Sequence, residues 1–204
     1  MQASYIYLAS QSPRRSQLLE QMGIAHRLLV VQGDDPEPDP EALEAALPRE
    51  AATSYVQRVT GLKLDAAVAR MRRRKLDAAP ILCSDTTVAL GGRILGKPES
   101  PAHAHEMLAM LSGRTHRVLT AVALQAGASR QLALSVSQVR FAAMSDAQIA
   151  AYVATGEPMG KAGAYGIQGR AAAYVERLAG SYSGIMGLPM FETANLLRTA
   201  GLAI

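Results

Sequence analysis

The 204-residue chain predicts an α/β fold on a mixed sheet, because strand-like and helix-like segments alternate along it without an internal repeat. Two further observations support this class. The stretches "THRVLTAVALQ" and "QLALSVSQVRF" flank a short "AGAS", as paired long strands would, and Gly91-Gly92 marks a hairpin turn between "PILCSDTTVAL" and "RILG". With 49% hydrophobic residues the chain can fill a core as one domain, residues 1–204.

The opening "YIYLA" reads as a short strand. Ser12 then caps a helix with Pro13 at its first position, and Arg15, Leu18, Leu19 and Met22 fall on one face before Gly23 ends it. "HRLLVV" is a second strand that empties into "QGDDPEPDP", a polar loop broken by prolines. "TSYVQRVTGLKLDAAVARMRRRK" follows as a long amphipathic helix despite Gly61. After the Gly-Gly hairpin, "SPAHAHEMLAML" is helical, and Ser145 caps a helix over "SDAQIAAYVA". The tail runs through "AGAYGIQG", a strand-like "AAAYVERL" and a glycine-rich "GSYSGIMGLP" to a closing helix from about Pro189.

Composition narrows the function classes. Lys+Arg 21 against Asp+Glu 17 leaves +4, a mild surplus that suits phosphate-bearing partners. Trp is absent and the tyrosines are scattered, which argues against a base-stacking nucleic-acid platform. The single cysteine, Cys83, excludes an internal disulfide and reads as a small buried apolar residue. No segment is long enough to span a bilayer and no leader pattern opens the chain, so the expected location is the cytoplasm.

Several residues break the apolar patterns in ways that need a partner. Arg15 lies on the buried stripe of its helix, with Arg14 beside it at the same N-terminal turn. An ion pair with an aspartate and a phosphate at the helix N-terminus explain this equally well. Asp85 interrupts the run from Leu82 to Val88, where it is either a strand-end residue facing water or a buried carboxylate that calls for a lysine or a divalent metal; Lys97, across the hairpin, is a candidate neighbour. The "GDD" at residues 33–35 could share a hard cation with Asp85. Lys63 stands between Leu62 and Leu64 on the long helix, and Lys161 opens the glycine-rich "KAGAYGIQG". No P-loop or nucleophile elbow is present. The basic run Arg70 to Lys75 suits the C-terminal dipole of a helix better than a nucleic-acid patch. Two apart on a helix, His103 and His105 face different ways, and neither His116 nor His26 has an evident ligand partner. These residues together are compatible with a metal-assisted site for a polyphosphate.

"LASQSPRRSQLL", "LCSDTTV" followed by "ILGKP", "KAGAYGIQG" and "GSYSGIMGLP", in this order and over nearly the whole chain, resemble the signature blocks of the Maf family of nucleoside triphosphate pyrophosphatases. The resemblance implies an elongated mixed sheet with flanking helices and two lobes around a deep cleft, similar to the inosine triphosphatase architecture. It also implies cleavage of a nucleoside triphosphate between the α- and β-phosphates with Mg²⁺ or Mn²⁺ as cofactor. Carried onto this sequence, Asp85 is the metal-associated general base, with Lys63 and Lys97 as catalytic cations. Ser10, Arg14, Arg15 and Lys161 are expected to bind substrate, while Thr86 and Gln168 help to recognise the base. Gln168 and the paired arginines resemble the branch acting on dTTP and UTP; the sister branch prefers 7-methyl-GTP. The glutamate usual after the second strand is replaced by Asp35, the expected second metal carboxylate, with Glu37 as its alternative. A homodimer is expected from the family, and a nucleotide-binding regulator of cell division is the rival to an enzyme.

Overall fold

The computed structural model describes residues 4–33, 35, 40–202 and 204. In chain order, β1 (Ile6–Leu8), α1 (Pro13–Gln21) and β2 (His26–Leu28) are followed by α2 (Pro40–Glu44) and α3 (Ala52–Arg73). Next come β3 (Ile81–Leu90), β4 (Arg93–Leu95), α4 (Pro101–Leu111), β5 (Thr115–Ala126), β6 (Ser129–Phe141) and α5 (Asp146–Val153). Two short 3₁₀ turns then lead to β7 (Val175–Ala179), α6 (Tyr182–Met186) and α7 (Met190–Thr199).

A seven-stranded sheet in the order β2-β1-β3-β5-β6-β7, with β4 also paired to β3, organises these elements. β1 pairs in parallel with both β2 and β3, whereas β3, β5, β6 and β7 are antiparallel, so the sheet is mixed as expected. The β5–β6 hairpin turns on Gly127 at φ 56, a conformation that glycine adopts without strain.

Strand alternation explains how the layers form. Ile81, Cys83 and Ala89 of β3, with Leu119, Ala121 and Ala123 of β5, pack against Tyr55, Val56, Val59, Leu64 and Ala67 of α3. On the other face, Leu82, Val122 and Leu124 pack with Leu18 and Leu19 of α1 and Leu196 and Leu197 of α7. Farther along that face, Val88, Val118, Val139 and Phe141 join α4 and α5 in a second core. Between these two cores lie the buried hydroxyls of Ser84, Thr120, Ser135 and Ser137.

Two local expectations are corrected, and one glycine-rich stretch gains a structure. The Ser12 side chain makes no capping bond; its own N–H donates instead to Ser10 Oγ at 3.2 Å. Only the second half of "AAAYVERL" is a strand, because Arg170–Tyr174 coils into a 3₁₀ turn. The stretch from Tyr182 to Met186 is a helical turn, capped by Ser181, which accepts from the Gly184 N–H at 2.9 Å.

Candidate active site

Asp85 sits on the α3 face of β3 and is only 9% exposed. The strand has no cation of its own there, but Lys63, about three helical turns into α3, reaches down to it: Nζ donates to Asp85 Oδ1 at 2.5 Å. The same ammonium donates to Glu44 Oε1 at 2.7 Å, so one lysine bridges two carboxylates. Lys97, just past β4, completes the chain by donating to Glu44 Oε2 at 2.8 Å. Burial alone would lower the pKa of Lys63, yet Asp85 and then Glu44 outweigh it and the pKa rises. For Glu44, burial opposes ionisation, but Lys63 and Lys97 hold the carboxyl below its ordinary range. The cation expected beside Asp85 is therefore Lys63, while Lys97 is engaged by Glu44.

The next residue, Thr86, faces the opposite side of the sheet. Its Oγ1 lies 2.9 Å from that of Thr120, its cross-strand partner on β5. Ser84 Oγ, on the same side, lies 2.8 Å from the Ala121 carbonyl and 2.9 Å from that of Gly187, which share its single proton. Gly187, at φ 115, closes α6, and its carbonyl also accepts from Arg15 Nε at 2.8 Å. Arg15 Nη1 donates to Ser10 Oγ at 3.0 Å. The buried stripe of α1 thus finds a carbonyl and a hydroxyl as its direct partners. Burial lowers the pKa of Arg15, with Asp85 opposing. Beside it, Arg14 Nε donates to the Met186 carbonyl at 3.4 Å.

Both groups open into one cleft of about 520 Å³, lined by Ser10, Arg14, Arg15, Lys63, Asp85, Thr86, Lys97, Lys161 and Tyr165, among others. Lys161 is held there by the backbone carbonyl of Glu157, to which its Nζ donates; burial and then Arg14 lower its pKa. The strap that carries Lys161 is tied to the segment that carries Lys97 by the bond from Gly163 N–H to the Gly96 carbonyl, at 3.0 Å. Gly163 has φ +68, and an added Cβ would lie 2.8 Å from Val88 Cγ2. Gln168 is exposed and is not among the residues lining the cleft.

Asp35 lies apart from this site. Its carboxylate pairs with Arg74 and, at 3.6 Å, Arg73, and Arg74 holds its carboxyl down at about 2. The reason is topological: the C-terminal turn of α3 lies against the exit of β2, where Arg74 also donates to the Val30 carbonyl and Arg70 to that of Leu29. Glu37 lies outside the described residues. Among the described residues no three His, Cys, Asp or Glu side chains converge as a metal site. The two carboxylates around Lys63, hard oxygen donors, fit a Mg²⁺-type cation that takes its remaining ligands from phosphate and water.

Sequence reasoning missed Glu44, which no local pattern separates from its acidic neighbours, and the Thr120 hydroxyl, whose signal was a polar residue inside the apolar "RVLTAVAL". It also gave His116 no partner; the imidazole is buried, with Nε2 2.8 Å from the Tyr165 hydroxyl. Cys83 is fully buried, and burial pushes its thiol up to about 11, consistent with an inert apolar role. No helix among the described residues is long and apolar enough to cross a membrane.

The Maf family, described as Maf-like protein, matches residues 5–200. A dTTP/UTP pyrophosphatase of Polaromonas sp. (strain JS666) is 62% identical over 202 residues, covering 99% of this chain and 98% of that one. Proteins of the same name from Albidiferax ferrireducens and Ralstonia nicotianae are each 60% identical, covering 99% and 98% of this chain and 100% and 96% of their own lengths. A match of this extent, on a mixed α/β sheet with the signature blocks gathered at one cleft, establishes that the chain belongs to the Maf family.

Proposed function

We propose that the cleft hydrolyses dTTP and UTP between the α- and β-phosphates, releasing the nucleoside monophosphate and pyrophosphate in the presence of a divalent cation. The observation that carries this reading is the Glu44–Lys63–Asp85 bridge in a cleft also lined by Arg14, Arg15 and Lys161. Such a set neutralises a triphosphate and still offers a base for water. The names and full-length similarity of the relatives support the choice of substrate.

In this mechanism Arg14, Lys97, Lys161 and the remaining Nη2 of Arg15 hold the phosphate oxygens. Water attacks the α-phosphorus: its oxygen forms the new P–O bond while the bond from phosphorus to the αβ-bridging oxygen breaks. Pyrophosphate leaves with that electron pair. Asp85 Oδ1 is engaged by Lys63, and Oδ2, which accepts no hydrogen bond from the described residues, takes the proton of water. Asp85 and Glu44 would hold the cation, which supplies further charge neutralisation at the phosphates. Asp35 is not assigned this role, because Arg73 and Arg74 claim its carboxylate.

Pyrophosphate release from dTTP, UTP, CTP, GTP and 7-methyl-GTP with Mg²⁺ or Mn²⁺ tests the reading. Preferential turnover of dTTP and UTP is expected. Preference for 7-methyl-GTP would replace the substrate, and stoichiometric binding of dTTP without pyrophosphate release would replace the enzyme with a nucleotide-binding regulator.

A further inference from the structure

The hydroxyl pair on the α6 side of β3 has a fixed direction. Thr120 Oγ1 lies 2.7 Å from the Gly184 carbonyl, and a carbonyl oxygen can only accept. Thr120 is 1% exposed, so its single hydroxyl proton is committed to that bond in a setting where an unpaired polar group is costly. Its oxygen can then only accept from Thr86, 2.9 Å away. Thr86 has one proton and gives it to Thr120. Only lone pairs remain on the Thr86 oxygen, which is half-buried at the cleft wall.

The backbone fixes this relay from both ends. Thr86 and Thr120 are directly opposed in the β3–β5 ladder. Gly184 belongs to α6, whose N-terminus is capped by Ser181, and an added Cβ on Gly184 would lie 3.3 Å from Ser135 Oγ, so the helix sits close on the sheet. The neighbouring proton of Ser84 is likewise directed to carbonyls, those of Ala121 and Gly187. Of the three hydroxyls Ser84, Thr86 and Thr120, none therefore has a proton left to donate into the cleft.

Resting on the reading of the cleft as a pyrimidine triphosphate site, we propose that Thr120 is a positioning residue for base selection. By taking the proton of Thr86 it makes Thr86 an obligate acceptor, matched to the N3–H of uracil and thymine. Cytosine presents a lone pair at N3, and acceptor would then face acceptor. The discrimination is made by the relay, although Thr120 itself touches no ligand.

The test compares kcat and KM for UTP and CTP in the wild type, Thr120→Val and Thr120→Ser. Valine keeps the shape and removes the acceptor, freeing the Thr86 hydroxyl to donate to cytosine N3. The UTP-to-CTP ratio of kcat/KM should fall by about tenfold or more, through KM, with CTP improving in absolute terms. Serine keeps the hydroxyl and should keep the ratio. Equal losses for both nucleotides in Thr120→Val would mean a merely structural threonine and would overturn the proposal. A wild type that turns over neither pyrimidine triphosphate would overturn the functional reading beneath it, a distinct result. Should the valine variant not fold, the wild type alone decides by alkaline titration of ligand affinity. Loss of affinity should follow the acidity of N3–H, occurring at lower pH for 5-fluoro-UTP than for UTP. Retention of either ligand after N3 deprotonates would contradict the inference.

Discussion

On the α3 side of β3, Asp85, Lys63, Glu44 and Lys97 form a chain of alternating charge; on the α6 side, the Thr86–Thr120 pair and, separately, Ser84 are neutral hydroxyls that end on backbone carbonyls. Adjacent residues of one strand, Asp85 and Thr86, belong to the two different sets. In the charged chain side chains satisfy one another, so a triphosphate or a cation can substitute for a partner without breaking the sheet. In the neutral set the protons end on backbone carbonyls, so polarity is set before any ligand arrives. In the mechanism we propose, reaction draws on exchangeable charge and recognition on fixed direction, and the pleat of β3 presents both within one cleft.

The largest effect is expected on the charged side. Asp85→Asn keeps the size of the side chain but removes the base and the counter-charge of Lys63, and kcat for UTP should fall about 10³-fold in a pyrophosphate-release assay. If the two faces divide the work as described, KM should change far less than kcat.

Glu44→Gln comes next. The metal concentration for half-maximal rate should rise about tenfold, with kcat largely regained at saturating metal. Asp35→Asn should leave that concentration unchanged. A reversal of the two results would return the second carboxylate to the loop after β2.

Behind the cleft, stability replaces activity as the readout. Burial pushes His116 from an ordinary 6.5 down to about 4, so in this window the unfolded chain binds more protons than the folded one. Stability is therefore present above pH 6.5 and lost as pH falls toward 4, by on the order of 3 kcal/mol. In His116→Phe that part of the acid limb should flatten in denaturant titrations across pH.

The last effect, on stability alone, concerns the strap between the two lysines. Gly163→Ala forces a positive φ on alanine and drives its Cβ into Val88, which should cost about 2 kcal/mol by chemical denaturation.

Long elements were legible in the sequence: α3 and α4 carry helical patterns, β5 a continuous apolar run and β6 an alternating one. Short pieces were not. α2 and α6, each five residues, are held by contacts distant in sequence rather than by their own periodicity. The site divides in the same way. Asp85 and Arg15 stood out as charges within apolar patterns, and both line the cleft. Glu44 did not, since its partners lie 19 and 53 residues away and only the folded chain brings them together. Asp35, in the loop after β2, is paired with Arg74 at the end of α3, a contact that no local pattern announces. Hydroxyl polarity is more hidden still, because Thr86 and Thr120 are ordinary strand residues until α6 supplies a carbonyl.

The proposed attack on the α-phosphorus is tested most directly by turnover of UTP in ¹⁸O-labelled water by the wild type, with mass analysis of both products. Attack by a water activated at Asp85 on the α-phosphorus predicts one labelled oxygen in UMP and none in pyrophosphate. Label in pyrophosphate would contradict the account, because it would place the attack on the β-phosphorus.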